Sequence, residues 1–137
     1  MTESSPHRGR LLLAEDNADL RFLFGLMLTH LGWSVDSVSD GAAAWDLLSA
    51  SPDIYDVVVT DIIMPRLDGT ALVERIRGEP RLEALPVLVL TALPVGARQL
   101  QLLPGGGPLR IAHKTSTIDK GALGAELAQL VGGAPHP

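Results

Sequence analysis

The sequence predicts an α/β fold in which helices cover both faces of a doubly wound parallel sheet. Short apolar runs recur along the chain, and segments with helical spacing of apolar residues separate them. The runs are continuous rather than alternating, which is typical of strands buried on both faces. Five such strand and helix units, joined by right-handed crossovers, give a five-stranded parallel sheet. Ligands of these folds bind beyond the carboxyl ends of the strands.

The first unit is the clearest of the five. Residues 11–14 are all Leu or Ala, and this apolar run stops at Glu15 and Asp16. Asn17 can cap a helix, in which apolar residues recur every three or four positions until Gly32 ends the pattern. We therefore expect a buried strand that leads through two acidic residues into an amphipathic helix.

The other four units follow with weaker helix signals. Pro104, three glycines and Pro108 interrupt the chain before the last strand, so the fourth helix is expected to be the weakest. The predicted elements are strand 34–38 and helix 41–49, strand 56–60 and helix 70–77, strand 87–90 and helix 95–102, and strand 109–113 with a final helix striped by Leu123, Leu127, Leu130 and Val131.

Length and composition limit the organisation of the chain. The 137 residues, 46% of them hydrophobic, suffice for one domain with a real core. We expect a folded domain over residues 10–131, a disordered arm over residues 1–9 and a disordered tail over residues 132–137.

The charge, the cysteine count and the amino terminus exclude several classes of protein. The net charge is −5 and the basic residues are scattered, which argues against binding to nucleic acid or to a membrane. There is no cysteine, so disulfides and thiolate metal sites are excluded. The amino terminus lacks the apolar run of a signal peptide and no stretch is long enough to span a bilayer, which predicts a cytoplasmic protein.

The four histidines, including His30 and His113, show no metal-ligand spacing, so surface or packing roles are expected.

Polar residues follow the predicted strands at the points where the strands end. They are Glu15 and Asp16, Asp61, Thr91 and Lys114. The carboxyl ends of parallel strands meet at one edge of a sheet, and three carboxylates there repel one another unless a cation intervenes. Ligands that are all oxygen favour a hard ion such as Mg²⁺. The sequence therefore predicts a magnesium site at this edge.

A lysine and a threonine opposite the carboxylates favour phosphoryl chemistry over simple metal storage. A carboxylate can attack phosphorus to give an aspartyl phosphate, while Mg²⁺, a lysine and a hydroxyl stabilise the phosphoryl oxygens. Asp61 taken alone could be an ordinary solvated residue at a strand end, and Thr91 an ordinary strand threonine. Glu15 and Asp16 could instead stabilise the start of the first helix.

Four sequence features in this order resemble the receiver domains of response regulators. They are LLLAEDN, VVVTDIIMPRLDG, VLVLTA and Lys114, and the resemblance covers about residues 9–131. It implies a flavodoxin-like sheet with strand order 2-1-3-4-5. It also implies a stand-alone regulator of two-component signalling that is not an enzyme and that receives its phosphoryl group from a histidine kinase or a phosphotransfer protein.

The resemblance also assigns the metal ligands. It implies that Asp61 is phosphorylated and that Asp16, Asp61 and the backbone carbonyl of Ile63 bind Mg²⁺. Glu15 would support the ion through a water molecule. Thr91 and Lys114 would bind the phosphoryl oxygens.

Two positions depart from the pattern of the family. Receiver domains usually have a proline after the lysine, whereas this sequence has Thr115, and a non-proline cis bond costs about 3 kcal/mol, so a trans bond is expected there. Ile111 stands where the family has the Tyr or Phe of its switch.

Since the connector 102–110 is rich in glycine, our hypothesis is that signal output uses order and disorder of residues 95–108. Unchanged hydrogen exchange of that segment on phosphorylation would contradict it.

Three functions remain open from the sequence. The first is a phosphoacceptor switch that regulates an unknown partner protein, because no output domain is expected after residue 131, with a possible homodimer through the fourth helix, fifth strand and fifth helix. The second is a degenerate receiver that acts as an interaction or dimerisation module without phosphorylation. The third is a phosphatase or phosphotransferase, although Ile63 occupies the position where a second acid would be needed.

Overall fold

The described residues form one parallel sheet with helices on both faces. The computed structural model describes residues 8–114 and 119–131, so Thr115 and most of the predicted arm and tail lie outside it. The strand order is β2-β1-β3-β4-β5, which confirms the predicted fold class and strand order. In chain order the elements are β1 (Gly9–Ala14), α1 (Ala18–His30), β2 (Trp33–Val38), α2 (Gly41–Ala50), β3 (Val57–Thr60), α3 (Gly69–Gly78), β4 (Val87–Thr91), α4 (Arg98–Gln101), β5 (Leu109–His113) and α5 (Lys120–Leu130).

The continuous apolar runs supply two cores, one on each face of the sheet. Successive side chains of a strand point to opposite faces, so the single run in β1 is divided between them. Leu11 and Leu13 belong to the core that also contains residues of α1 and α5. Leu12 and Ala14 belong to the core that contains residues of α2 and α3. This division explains why the strands show no alternation of polar and apolar residues.

Helix α1 begins and ends as the sequence predicts. The side chain of Asn17 accepts a hydrogen bond from the backbone N–H of Leu20 at 2.9 Å, which caps the helix. After the helix, Gly32 adopts φ +104°, a left-handed conformation that favours glycine. The cap leaves Glu15 and Asp16 in the short loop between β1 and α1.

The fourth helix is much shorter than predicted. Instead of residues 95–102 it comprises only Arg98–Gln101. Gly96 adopts φ +86°, which is incompatible with a right-handed helix, and the capping position, Ala97, offers no side-chain hydrogen bond. Most of the segment between β4 and β5 is therefore irregular.

The start of the folded domain also differs from the prediction. Gly9 is the first residue of β1 and pairs with Trp33, so the expected disordered arm over residues 1–9 is wrong at its carboxyl end. The backbone N–H of Arg8 donates to the carbonyl of Gly32 at 2.9 Å and ties this residue to the loop before β2. Within the described ranges, no helix combines the length and apolarity that crossing a membrane requires.

A buried carboxylate joins two loops at the edge of the sheet where the strands end. Asp40 is 1% exposed, accepts from the backbone N–H of Ala43 at 2.8 Å and so caps α2, and also pairs with the guanidinium of Arg66. The hydrogen bond from Ala43 lowers the pKa of Asp40, and Arg66 adds to this, which together outweigh the opposing effect of burial. Gly41 follows, and a Cβ there would lie 2.0 Å from the carbonyl oxygen of Leu67. The loop after β2 thus packs directly on the loop after β3.

Replacement of Asp40 by Ala should lower the free energy of unfolding by about 1–2 kcal/mol at neutral pH, because α2 loses its cap. Since the folded-state pKa of Asp40 is lowered, its contribution is present above the ordinary carboxyl pKa of about 3.9 and is lost as the pH falls through the folded-state value. Urea unfolding at a series of pH values measures this. Asp46→Ala, an exposed site on the same helix, is the matched control, and an equal effect of both changes would contradict the assignment.

Candidate functional site

Three carboxyl residues converge where β1 and β3 end. Glu15 and Asp16 follow β1, and Asp61 follows β3, which pairs with β1 at the point where the strand order reverses. The backbone N–H of Asp61 donates to the carbonyl of Ala14 at 3.1 Å, so the two strand ends are held in register. A carboxylate oxygen from each of the three residues lies within 4.8 Å of the others. The chain thus brings together the acidic residues that the sequence analysis singled out.

Lys114 reaches this acidic group from the end of β5. Its Nζ donates to Glu15 Oε1 at 2.6 Å and to Asp61 Oδ2 at 2.7 Å. The side chains of Lys114, Glu15 and Asp61 are only 12%, 3% and 10% exposed, so the ion pairs are shielded from water. The Nζ also lies 6.0 Å from the centre of the Phe24 ring, at the limit of a cation–π contact. One ammonium group therefore bonds to two buried carboxylates and offsets part of their combined negative charge.

The environment of Lys114 favours its charged form. Burial lowers the pKa of Lys114, but the hydrogen bonds and charges of Asp61 and Glu15 outweigh that effect and raise the pKa above its usual range. The stabilisation that the raised pKa of Lys114 contributes is therefore fully present at neutral pH, and it is lost as the pH rises through the raised value.

The second oxygen of each buried carboxylate is held by the backbone. Asp61 Oδ1 accepts from the N–H of Ile62 at 2.6 Å, and Glu15 Oε2 accepts from the N–H of Asn17 at 3.0 Å. These bonds fix the orientation of both carboxylates. Asp16 lies at the surface of the protein beside them. The arrangement leaves an exposed carboxylate next to two buried ones, which is a geometry that can hold a hard cation.

Two residues that the sequence analysis missed position the acidic group. Arg21 Nη1 donates to the carbonyl of Glu15 at 2.9 Å and holds the loop between β1 and α1. A Cβ at Gly69 would lie 2.1 Å from the carbonyl oxygen of Asp61, so glycine is required for α3 to approach the end of β3. Gly69 could be suspected from the loop motif, whereas nothing in the sequence pattern points to Arg21.

Thr91 and Ile111 lie on the β4 and β5 side of the site. Thr91 is fully buried, and its Oγ1 accepts from the backbone N–H of Leu93 at 3.1 Å. The backbone N–H of Lys114 donates to the carbonyl of Thr91 at 2.6 Å, which links the ends of β4 and β5. Ile111 is partly buried against the core on the α2 and α3 face. The roles of Thr91 in phosphoryl binding and of Ile111 in switching remain predictions.

Ile63 lies in the loop that follows Asp61. Its side chain is 54% exposed, while the preceding Ile62 is fully buried. The neighbouring carbonyl of Ile62 accepts from the N–H of Gly69 at 2.7 Å, which closes the loop. That the carbonyl of Ile63 binds a metal remains a prediction.

The histidine before Lys114 makes a contact that the sequence analysis did not anticipate. His113 Nδ1 lies 2.8 Å from the carbonyl oxygen of Leu93, in the loop after β4. The two residues are twenty positions apart, and no spacing rule predicts such a contact between the end of one strand and a neighbouring loop.

Replacement of Lys114 by Met should lower the free energy of unfolding by about 3 kcal/mol near pH 8, because two buried carboxylates lose their shared cation. Because the pKa of Lys114 is raised, its contribution is fully present at neutral pH, and the deficit relative to the wild type should be the same at pH 7 and pH 8. Denaturant unfolding at both pH values measures this. Lys120→Met, at the exposed start of α5 and the other lysine of the chain, is the control, and an equal deficit for the two changes would contradict the account.

Comparison with known proteins places these features in a family. Residues 11–103 match the response regulator receiver domain. The chain is 32% identical over 125 residues to a gliding motility regulatory protein of Myxococcus xanthus, covering 90% of the chain and 15% of that protein. It is 47% identical over 83 residues to the transcriptional regulatory protein TctD of Salmonella typhimurium, covering 61% and 35%. It is 35% identical over 83 residues to a chemotaxis protein CheY homologue of Campylobacter jejuni, covering 60% and 63%. The matched region is thus less than two thirds of each relative.

Solved structures agree with this assignment. A response regulator receiver domain protein from Clostridium thermocellum superposes with a TM-score of 0.76 at 18% identity, covering 90% of this chain and 94% of that one. The receiver domain of the sensor histidine kinase PA1611 from Pseudomonas aeruginosa has a TM-score of 0.74 at 27% identity, covering 90% and 98%, and its structure holds a magnesium ion in the active-site cleft. The family match covers more than half of the chain, and the strand order fits it. The chain therefore belongs to the response regulator receiver domain family of two-component signalling.

Proposed function

We propose that this receiver domain is a phosphoacceptor switch in which Asp61 accepts a phosphoryl group from a histidine kinase or a phosphotransfer protein. The observation that carries the proposal is the pairing of Asp61 with Lys114 at 2.7 Å beside two further carboxyl residues. A lysine in this place can stabilise a phosphoryl group bound to Asp61, and the neighbouring acids can hold a divalent cation. The phosphorylated domain then regulates a partner protein.

The geometry supports nucleophilic attack by Asp61. Its carboxylate accepts hydrogen bonds from Lys114 and from the N–H of Ile62, which fix its orientation beside the ammonium group. A carboxylate oxygen forms the bond to phosphorus while the phosphorus–nitrogen bond of the donor histidine breaks, and the leaving imidazole keeps the electron pair and takes up a proton. Lys114 stays within reach of the oxygens of the transferred group and neutralises part of their charge.

We also propose that the acidic group binds Mg²⁺. Asp16, Asp61 and the backbone carbonyl of Ile63 would hold the ion, with Glu15 acting through a water molecule. The donor set fits, because all of the atoms are oxygens and three carboxylate oxygens lie within 4.8 Å of one another. The magnesium ion in the related receiver domain of PA1611 supports this choice of metal. When bound, Mg²⁺ would neutralise charge on the phosphoryl oxygens.

Thr91 and Lys114 are the proposed ligands of the phosphoryl oxygens. The backbone N–H of Lys114 donates to the carbonyl of Thr91, so the two residues are held together at the ends of β4 and β5. Ile111 occupies the aromatic switch position of the family and has no ring to rotate. The proposed output through residues 95–108 and a homodimer through α4, β5 and α5 stay predictions, as does a cytoplasmic location.

Incubation with Mg²⁺ and acetyl phosphate tests the proposal through intact mass. One phosphoryl adduct should form on the wild type and on Asp46→Asn, whose exposed carboxylate lies on α2, but not on Asp61→Asn. The reason is that Asp61 is the proposed nucleophile and lies beside the Lys114 ammonium, whereas Asp46 lies on the exposed face of α2. An adduct of equal yield on Asp61→Asn would contradict the assignment.

The same incubation distinguishes the two other functions. A degenerate receiver, which the four-residue α4 and Ile111 would favour, forms no adduct on the wild type. A phosphatase or phosphotransferase releases many equivalents of inorganic phosphate per protein and accumulates little adduct. The relatives named above are regulators, which supports slow turnover here.

A magnesium titration followed by calorimetry tests the proposed metal ligands. Asp16→Asn should weaken the binding of Mg²⁺ about tenfold or more, because one of three converging carboxylates is lost. Asp19→Asn, an exposed carboxylate in the first turn of α1, should leave the affinity within about twofold of the wild type, since surface charge effects of this kind are small. Equal weakening by the two changes would show that general negative charge, not a defined site, attracts the ion.

A further inference from the structure

His113, the last residue of β5, holds the loop that follows β4. Its Nδ1 lies 2.8 Å from the carbonyl oxygen of Leu93. A carbonyl oxygen can only accept, so the Nδ1 atom carries the proton and donates it. The side chain of His113 is partly buried and Thr91 is its register partner on β4. The ring therefore acts as a tie between β5 and the turn formed by residues 91–93.

Two further hydrogen bonds complete the attachment of this turn. The N–H of Leu93 donates to Thr91 Oγ1 at 3.1 Å, and the N–H of Lys114 donates to the carbonyl of Thr91 at 2.6 Å. The consecutive residues His113 and Lys114 thus hold opposite ends of the turn. The side-chain oxygen of Thr91 takes its position from the turn, because the bond from Leu93 fixes it from within.

The same turn leads into the irregular segment before β5. Leu93 and Ile111 both pack against the core on the α2 and α3 face, together with Leu100 of α4. Because α4 is only four residues long, it supplies little independent stiffness to that segment. The position of the turn consequently depends on its ties to β5 more than on the helix that follows.

We propose that His113 is a positioning residue that holds Thr91 in the place where it can bind the phosphoryl group of Asp61 and that links this pocket to the segment between β4 and β5. The inference rests on the proposed function of Asp61. The hydrogen bond from His113 to the Leu93 carbonyl would couple the pocket to the segment between β4 and β5. Ile111 provides only apolar packing, since its side chain has no hydrogen-bonding group.

Three variants isolate this hydrogen bond. His113→Leu removes the donor, His113→Asn keeps an N–H donor near the position of Nδ1, and His30→Leu makes the same change at an exposed histidine at the end of α1. Two readouts are taken on each protein: the affinity for beryllofluoride, a phosphoryl mimic, in the presence of Mg²⁺, and the hydrogen exchange of the Leu93 amide without it. Thermal unfolding confirms that each variant is folded.

The expected result is a three- to tenfold weaker affinity for beryllofluoride in His113→Leu, the range that loss of one hydrogen bond gives. The Leu93 amide of the same variant should exchange faster, and both effects should be largely restored in His113→Asn and absent in His30→Leu. If His113 had a merely structural role, His113→Leu would lower the thermal stability, and His113→Asn would not restore the affinity for beryllofluoride.

The outcomes separate the inference from the function on which it rests. If the wild type and the variants bind beryllofluoride equally and Leu93 exchanges at the same rate in all of them, the role of His113 is overturned while the proposed function stands. If the wild type binds no beryllofluoride at all, the proposed function fails, and the inference fails with it. If His113→Leu does not fold, His113→Asn still decides, because a loss of affinity greater than about tenfold with the donor retained contradicts the proposal.

Discussion

The site depends on one ammonium group placed between two buried carboxylates. Glu15 and Asp61 are brought together because β1 and β3 are neighbours in the sheet, and their charges would repel one another in a place with little water. Lys114 crosses the end of β4 to satisfy both of them. The ion pairs hold the ends of the central strands together, and they also place Asp61 beside a cation. The same interaction therefore serves the fold and prepares the proposed chemistry.

Much of the fold could be predicted from the sequence because its signals are local. Continuous apolar runs indicated buried strands, and Asn17 marked the start of α1. The rule that parallel strands end at one edge brought Glu15, Asp61 and Lys114 into one group, because topology alone decides that placement. The predicted length of α4 was wrong, because the conformation of Gly96 and the lack of a side-chain cap outweigh the apolar pattern of the segment. Where the local signals for a helix are this weak, backbone conformation and packing decide how long the helix is.

Side-chain contacts with the loops are the part of the site that sequence reasoning could not reach. Arg21 holds a carbonyl six residues before it, His113 holds one twenty residues before it, and Asp40 pairs with Arg66 across two loops. Each of these depends on where a loop lies in three dimensions, and sequence spacing does not encode that position. The residues that carry the chemistry are thus predictable, while the residues that position them are seen only in three dimensions.

The central claim is that Lys114 and Asp61 act as a unit, and a double-mutant cycle measures that directly. Denaturant unfolding of the wild type, Lys114→Met, Asp61→Asn and the double variant at neutral pH gives the coupling free energy between the two side chains. The account predicts a coupling of about 1–3 kcal/mol, because Asp61 loses its buried cation when Lys114 is replaced, and Lys114 loses one of its two carboxylates when Asp61 is replaced. Additivity within about 0.5 kcal/mol would show that the two side chains do not interact, and the account would be wrong.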